Sequence, residues 1–148
     1  MSRAADYVVG GWQVSGIYTY TSGAPLIFGS NIVAPASVRQ IGQIGAGSYW
    51  FDTTGFAAQA SFTRRTNPWY YDGLNAPGFK NFDMALSKRF SIKERAHATV
   101  RMDLFNGLNG MNWASPNLTV TASDFGKTNT QLAGYYGRQL QYSIRLDF

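Results

Sequence analysis

From Arg138 to Phe148 the chain alternates polar and apolar residues without a break. Leu140, Tyr142, Ile144, Leu146 and Phe148 fall on one face of an extended chain, and Gln139, Gln141, Ser143, Arg145 and Asp147 on the other. Side chains of a strand alternate with period two, so the pattern predicts a two-faced strand. Three further segments carry the same signal. Gly11 to Thr21 sets Trp12, Val14, Gly16, Tyr18 and Tyr20 against Gln13, Ser15, Ile17, Thr19 and Thr21. Phe79 to Phe90 sets Phe82, Met84, Leu86 and Phe90 against Asn81, Asp83, Ala85, Ser87 and Arg89, with Lys88 interrupting the apolar face. His97 to Asn106 sets Ala98, Val100, Met102 and Leu104 against Thr99, Arg101 and Asp103.

The connections between these strands are very unequal. A short charged turn, Ser91 to Ala96, joins the second to the third, whereas residues 22–78 and 107–137 form long connections. Loops of that length count against an ordinary compact domain. They suit an outer-membrane barrel, whose turns are short on the periplasmic side and whose loops are long outside. With the C-terminus in the periplasm, both long connections fall outside and the short turn inside. The pieces Pro25 to Phe28 and Leu118 to Thr121 are β-like and could extend the barrel above the membrane. Four strands cannot close a barrel, since the smallest have eight. The predicted fold is therefore all-β: an antiparallel meander of long amphipathic strands over residues 1–148, the C-terminal fragment of a large transmembrane β-barrel with long external loops. The alternative is a soluble or surface-exposed β-sandwich that binds partners through aromatic loops.

Composition agrees with strands and turns. The chain has 148 residues, sixteen of them Gly, no Cys, a 16% aromatic share and a 14% charged share. No apolar run is long enough for a transmembrane helix, and a β-barrel shows none. The net charge of +5 raises the question of nucleic acid. The basic residues are scattered, however, and the densest group, Lys88, Arg89, Lys93 and Arg95, surrounds a turn, so no nucleic-acid partner is expected. Met1 to Asp6 is not followed by the apolar stretch of a secretory signal peptide. The expectation is a mature form or a chain lacking its upstream part, without plug domain or signal peptide.

Catalytic chemistry is not expected. His97 is the single His and has no second His or Cys with which to build a metal site, so a solvated side chain is expected. Glu94 is the single Glu, and no phosphate-binding or nucleophile motif is present. Gly42 to Gly47 is glycine-rich but lacks the flanking strand and helix of a phosphate loop. No cofactor and no metal are predicted. The polar strand faces carry the candidate lumen-facing charges Asp83, Arg89, Arg101, Asp103, Arg145 and Asp147. They can form a cross-strand ladder that fixes register or contact a ligand or plug. Trp50, Trp69, Tyr70, Tyr71, Trp113, Tyr135 and Tyr136 lie in the long connections, where they can stack on ligands or pack the loops together. Tyr18 and Tyr20 at one end, with Phe90 and Phe148 at the other, suit the two aromatic girdles of a barrel.

Several motifs, in order, resemble one family. Gly10-Gly11-Trp12-Gln13-Val14-Ser15-Gly16-Ile17 followed by Thr21-Ser22-Gly23-Ala24-Pro25, then Pro77-Gly78-Phe79-Lys80-Asn81-Phe82-Asp83, are similar to strand starts of Oar-like TonB-dependent receptors. Arg101 to Asn117, Phe125-Gly126-Lys127 and Arg138-Gln139-Leu140-Gln141 resemble later segments of the same receptors, with Asp103 where Glu is common. Tyr142, Ile144, Leu146 and Phe148 resemble the assembly signal of bacterial outer-membrane barrels. The resemblance implies a wall segment of a transporter for a large or scarce solute in the bacterial outer membrane. It also implies the partners: outer-membrane lipid, the rest of the barrel and its plug domain, the barrel-assembly machinery, and the TonB system through the missing N-terminal part.

Overall fold

The computed structural model describes residues 8–45, 47–93 and 96–148. Met1 to Tyr7, together with Ala46, Glu94 and Arg95, lie outside the described residues. Among the described residues there are six strands: β1 (Trp12–Thr21), β2 (Ile32–Val33), β3 (Ala57–Ala58), β4 (Phe79–Lys93), β5 (Ala96–Phe105) and β6 (Gln139–Asp147). The four long ones form a sheet in the order β1-β4-β5-β6, and β2 pairs with β3. The predicted all-β antiparallel meander is thus the observed architecture. The second strand runs three residues beyond its predicted end at Phe90, because Ser91 still pairs with His97 and Lys93 with Ala96. The register shifts between those two pairs, a bulge that spends Ile92 to tighten the hairpin.

Contacts divide the chain into two compact units, one made of Met1–Thr19, Lys80–Gly110 and Tyr136–Phe148, the other of Tyr20–Phe79 and Met111–Tyr135. The first holds most of the four-stranded sheet. Its register is continuous: Leu86 opposes Met102, which opposes Tyr142; Phe90 opposes Ala98, which opposes Leu146. Because directly opposed residues share a face, the period-two pattern of each strand adds up to one apolar and one polar face. β1 is exposed at every position and β6 at all but its last. A soluble sandwich would bury its apolar face under a second sheet. The other sheet among the described residues is the two-residue pair β2–β3, which is too short to do so.

The second unit has its own core. Leu26, Phe28, Ile32, Trp50, Phe51, Tyr71, Leu74 and Phe125 are buried together. Phe28 sits at its centre, edge-on to Phe51 at 5.7 Å and Tyr71 at 5.6 Å and stacked on Phe56 at 5.3 Å. Edge-to-face and offset pairs of this kind add to plain burial. The long connections thus gather a core of their own, although regular strand within 22–78 is limited to β2 and β3. Pro25 to Phe28 forms no strand of its own but makes one antiparallel bridge, Pro25 with Asn75. Its main chain lies against residues 69–76 through Leu26 N–H to Leu74 O and Phe28 N–H to Trp69 O, and Leu26 and Phe28 point into the core. Leu118 to Thr121 is likewise no strand. Ala122 N–H donates to Thr119 O across a turn, while Leu118 and Val120 pack on the core. Gly23 supports this folding: a Cβ there would collide with Ala76 O, where Ala76 N–H donates to Ala24 O at 2.8 Å.

Candidate functional site: the two faces of the wall

Each face of the sheet can be followed row by row across β4, β5 and β6. On the apolar face the rows are Met84–Leu104–Leu140, Leu86–Met102–Tyr142, Lys88–Val100–Ile144 and Phe90–Ala98–Leu146. Ile144 is 73% exposed and Tyr142 69%. A protein surface of this size that is apolar and open needs an apolar solvent.

Lys88 is the one charge in these rows, and the structure shows how it is accommodated. Its side chain is buried, and Nζ donates to Val8 O at 2.6 Å. The ammonium lies 4.5 Å from the ring centre of Trp12 and 5.3 Å from that of Phe90. Trp12 Nε1 donates to the same carbonyl at 3.0 Å. A carbonyl dipole and two ring faces replace water around the cation. Gly11 makes the approach possible: with φ at +74°, it brings its carbonyl to accept Arg89 N–H at 2.9 Å, and a Cβ there would lie 2.6 Å from Arg89 O. The sequence shows an interruption at Lys88; the cage depends on the Val8 carbonyl, which no periodicity reveals.

On the polar face the rows are Ala85–Asp103–Gln141, Ser87–Arg101–Ser143, Arg89–Thr99–Arg145 and Ser91–His97–Asp147. The charges pair along strands rather than across them. Arg101 Nη2 is 2.7 Å from Asp103 Oδ1, with Nε donating to both carboxylate oxygens at 2.9 Å, and Arg145 Nε is 2.8 Å from Asp147 Oδ1. The expected cross-strand ladder is thus replaced by two i, i+2 pairs, because residues two apart on one strand point the same way and Asp is short enough to be reached. Arg89 shares its row with Arg145 across Thr99 and is exposed. Asp83 has a different task. Its Oδ1 accepts Asn106 N–H and its Oδ2 accepts Asn81 Nδ2, both at 2.9 Å. His97 is half-buried rather than solvated, and its Nδ1 is shielded from solvent without a hydrogen-bond partner among the described residues.

Asn106 was not singled out from the sequence beyond the motif that contains it. It has φ at +49°, is buried, donates from Nδ2 to Gly110 O and Tyr136 O, and accepts Gly110 N–H. Asn109, at φ +50°, accepts Arg138 N–H on Oδ1 at 3.1 Å. Asn tolerates this backbone region better than most residues and can replace missing main-chain partners. The FNGLNG segment therefore closes the exit of β5 and receives the entry to β6.

The loop aromatics separate into two groups. Trp50 and Tyr71 are core residues, with Trp50 Nε1 donating to Asn75 O at 2.6 Å and Tyr71 OH to Pro35 O at 2.7 Å. Burial pushes the Tyr71 phenol above its ordinary value, which keeps the hydroxyl a donor. Tyr135 packs on Phe79 at 4.5 Å and Trp113 is half-buried. Trp69, Tyr70 and Tyr136 remain exposed. Arg65 lies over Trp69 at 4.0 Å while donating to Asn67 O, Phe28 O and Pro68 O.

An open single-layer sheet with one lipid-compatible face and one charged, hydrogen-bonding face is the wall of a membrane β-barrel. A family model for the outer membrane beta barrel domain matches residues 1–141. The chain belongs to that family, and its place is the bacterial outer membrane, with the apolar face against lipid. No curated protein and no solved structure matches it.

Proposed function

We propose that the chain is wall and loop structure of an Oar-like TonB-dependent receptor, which takes up a large or scarce solute across the outer membrane. The observation that carries this reading is the juxtaposition of the two-faced sheet with the ordered receptor-like motifs at its strand starts and ends. GGWQVSG opens β1, GFKNFD opens β4, and RMDLFNGLN runs from β5 into its closing turn. On this reading residues 22–78 and 107–137 are outside the cell. The polar face, with Asp83, Arg89, Arg101, Asp103, Arg145 and Asp147, lines the lumen and meets a plug domain. The role is transport without catalysis and without a bound cofactor. β6 is an edge strand of the sheet, and an edge can be recognised by strand addition with alternate side chains giving specificity. Tyr142, Ile144, Leu146 and Phe148 are the alternate side chains offered to the barrel-assembly machinery.

The test is energy coupling. The full-length protein, solubilised in detergent, is expected to retain a purified periplasmic domain of TonB on an affinity column. A folded full-length protein that retains none is a passive barrel, and the transporter reading then fails while the outer-membrane assignment stands.

A further inference from the structure

The second unit contains a cleft of about 670 Å³, bounded by Gly29 to Ile32, by Ala58 and Gln59 at the end of β3, and by the turn from Leu118 to Thr121. That volume falls within the roughly 300–1,000 Å³ of small-molecule sites. We infer that this cleft binds an uncharged, hydroxyl-rich ligand of the chemical class of neutral oligosaccharides. The inference deepens the uptake reading, on which its biological role rests.

Three observations carry it. The first is charge. The chain holds thirteen Lys and Arg and eight Asp and Glu, yet among the described residues no charged one bounds the cleft. Ionic ligands such as phosphates or carboxylates would find no counter-charge, and a charge moved from water into it would go unpaired. The second is the alternation of the lining. Ser30, Asn31, Gln59, Thr119 and Thr121 offer hydroxyls and amides, while Ile32, Leu118 and Val120 offer aliphatic surface. A saccharide presents the matching pair of surfaces, hydroxyl edges and C–H faces. Gln59 is already oriented: its Nε2 donates to Arg64 O at 3.1 Å, and its Oε1 is buried with no donor among the described residues. Completing that acceptor takes a donor from outside, and hydroxyls are such donors.

The third is rigidity. Ile32 belongs to the core, and Leu118 and Val120 pack against it. Gln59 N–H donates to Asn31 O at 3.0 Å, joining two walls. A site whose walls are fixed before binding loses little entropy when filled. An extended peptide is the less suitable occupant. It would need a strand edge to pair with, and the 118–121 wall is a turn, with Ala122 N–H on Thr119 O at 2.9 Å.

The experiment uses the full-length protein in detergent and measures binding by calorimetry, which needs neither TonB nor energy. Probes are malto-, cello-, xylo- and chito-oligosaccharides, an oligogalacturonate as the anionic control, and a neutral hexapeptide. At least one neutral oligosaccharide is expected to bind, with affinity at least tenfold weaker in Thr121→Trp, which fills the cleft, and in Gln59→Leu, which removes the amide. Trp69→Ala is expected to leave binding unchanged. Each variant is accepted only if its heat-modifiable gel mobility shows a folded barrel. Binding of the oligogalacturonate or the peptide alone, equal binding by Thr121→Trp and wild type, or no binding by any neutral probe would overturn the assignment. Binding that persists in a protein that does not engage TonB would uphold the cleft and sink only the transporter reading.

Discussion

Lys88 and Tyr71 show how single side chains decide what the membrane wall and the loop unit tolerate. Lys88 stands on the lipid side of the sheet, where a bare cation costs about 2–4 kcal/mol at mid-bilayer. Its carbonyl and aromatic surroundings offset that cost. Lys88→Met keeps the aliphatic stem against Trp12 and leaves Val8 O still paired with Trp12 Nε1. The expected loss is therefore only about 1 kcal/mol. Lys88→Glu sets a carboxylate against the same carbonyl and the two ring faces, and should cost at least about 3 kcal/mol. Urea unfolding in detergent micelles measures both, and equal losses would mean that the cage is only packing. Tyr71→Phe keeps the ring in the aromatic cluster but leaves Pro35 O without its donor. About 1–2 kcal/mol of loop-unit stability should go, read as faster amide exchange at Leu74 and Phe28. Unchanged exchange would show that water takes the place of the hydroxyl.

At the scale of elements, the strands test the face assignment directly. Val100 and Ile144 oppose one another on the apolar face, whereas Thr99 opposes Arg145 and Ser143 opposes Arg101 on the polar one. Val100→Arg or Ile144→Arg in the full-length protein should lower the folded fraction on heat-modifiability gels, by an energy of about 2–4 kcal/mol near mid-bilayer. Thr99→Arg and Ser143→Arg should remain close to wild type. Equal damage from both pairs would show that both faces are dry. These faces were legible because a strand repeats every two residues, and each of the four long strands keeps that period for most of its length. The loop core was not legible for the same reason. Leu26, Phe28, Trp50, Phe51, Tyr71 and Phe125 come from distant segments, share no period, and meet only through main-chain bonds such as Trp50 N–H to Gly126 O at 2.7 Å. Isolated aromatics between Gly and Pro read as surface residues until tertiary contacts gather them. The charge pairs were half legible: the faces of Arg101 and Asp103 follow from alternation, but the choice of an in-strand partner depends on side-chain reach.

For the whole molecule, the decisive property is what the sheet leaves unsatisfied. β1 and β6 are its two edges, and each carries a row of backbone groups turned away from the sheet. In hydrocarbon every unpaired group costs several kcal/mol, so both edges must be met by further strands of a closed barrel. In water the liability is different: the apolar face, with Val14, Tyr142, Ile144 and Leu146 each more than 60% exposed, has nothing to cover it. The chain of residues 1–148 alone should therefore associate in plain buffer and become monodisperse only with detergent. The loop unit gives this test a second reading, because its core does not depend on lipid. The amides of Leu26, Phe28 and Trp50, which donate to Leu74, Trp69 and Gly126 carbonyls, should exchange slowly in detergent even where the edge amides of β1 and β6 exchange fast. Sedimentation with and without detergent, followed by exchange on the same samples, separates the two. A monodisperse monomer in plain buffer with protected β1 and β6 edges would mean that the apolar face is covered by the chain itself, and the sheet would then be no membrane wall.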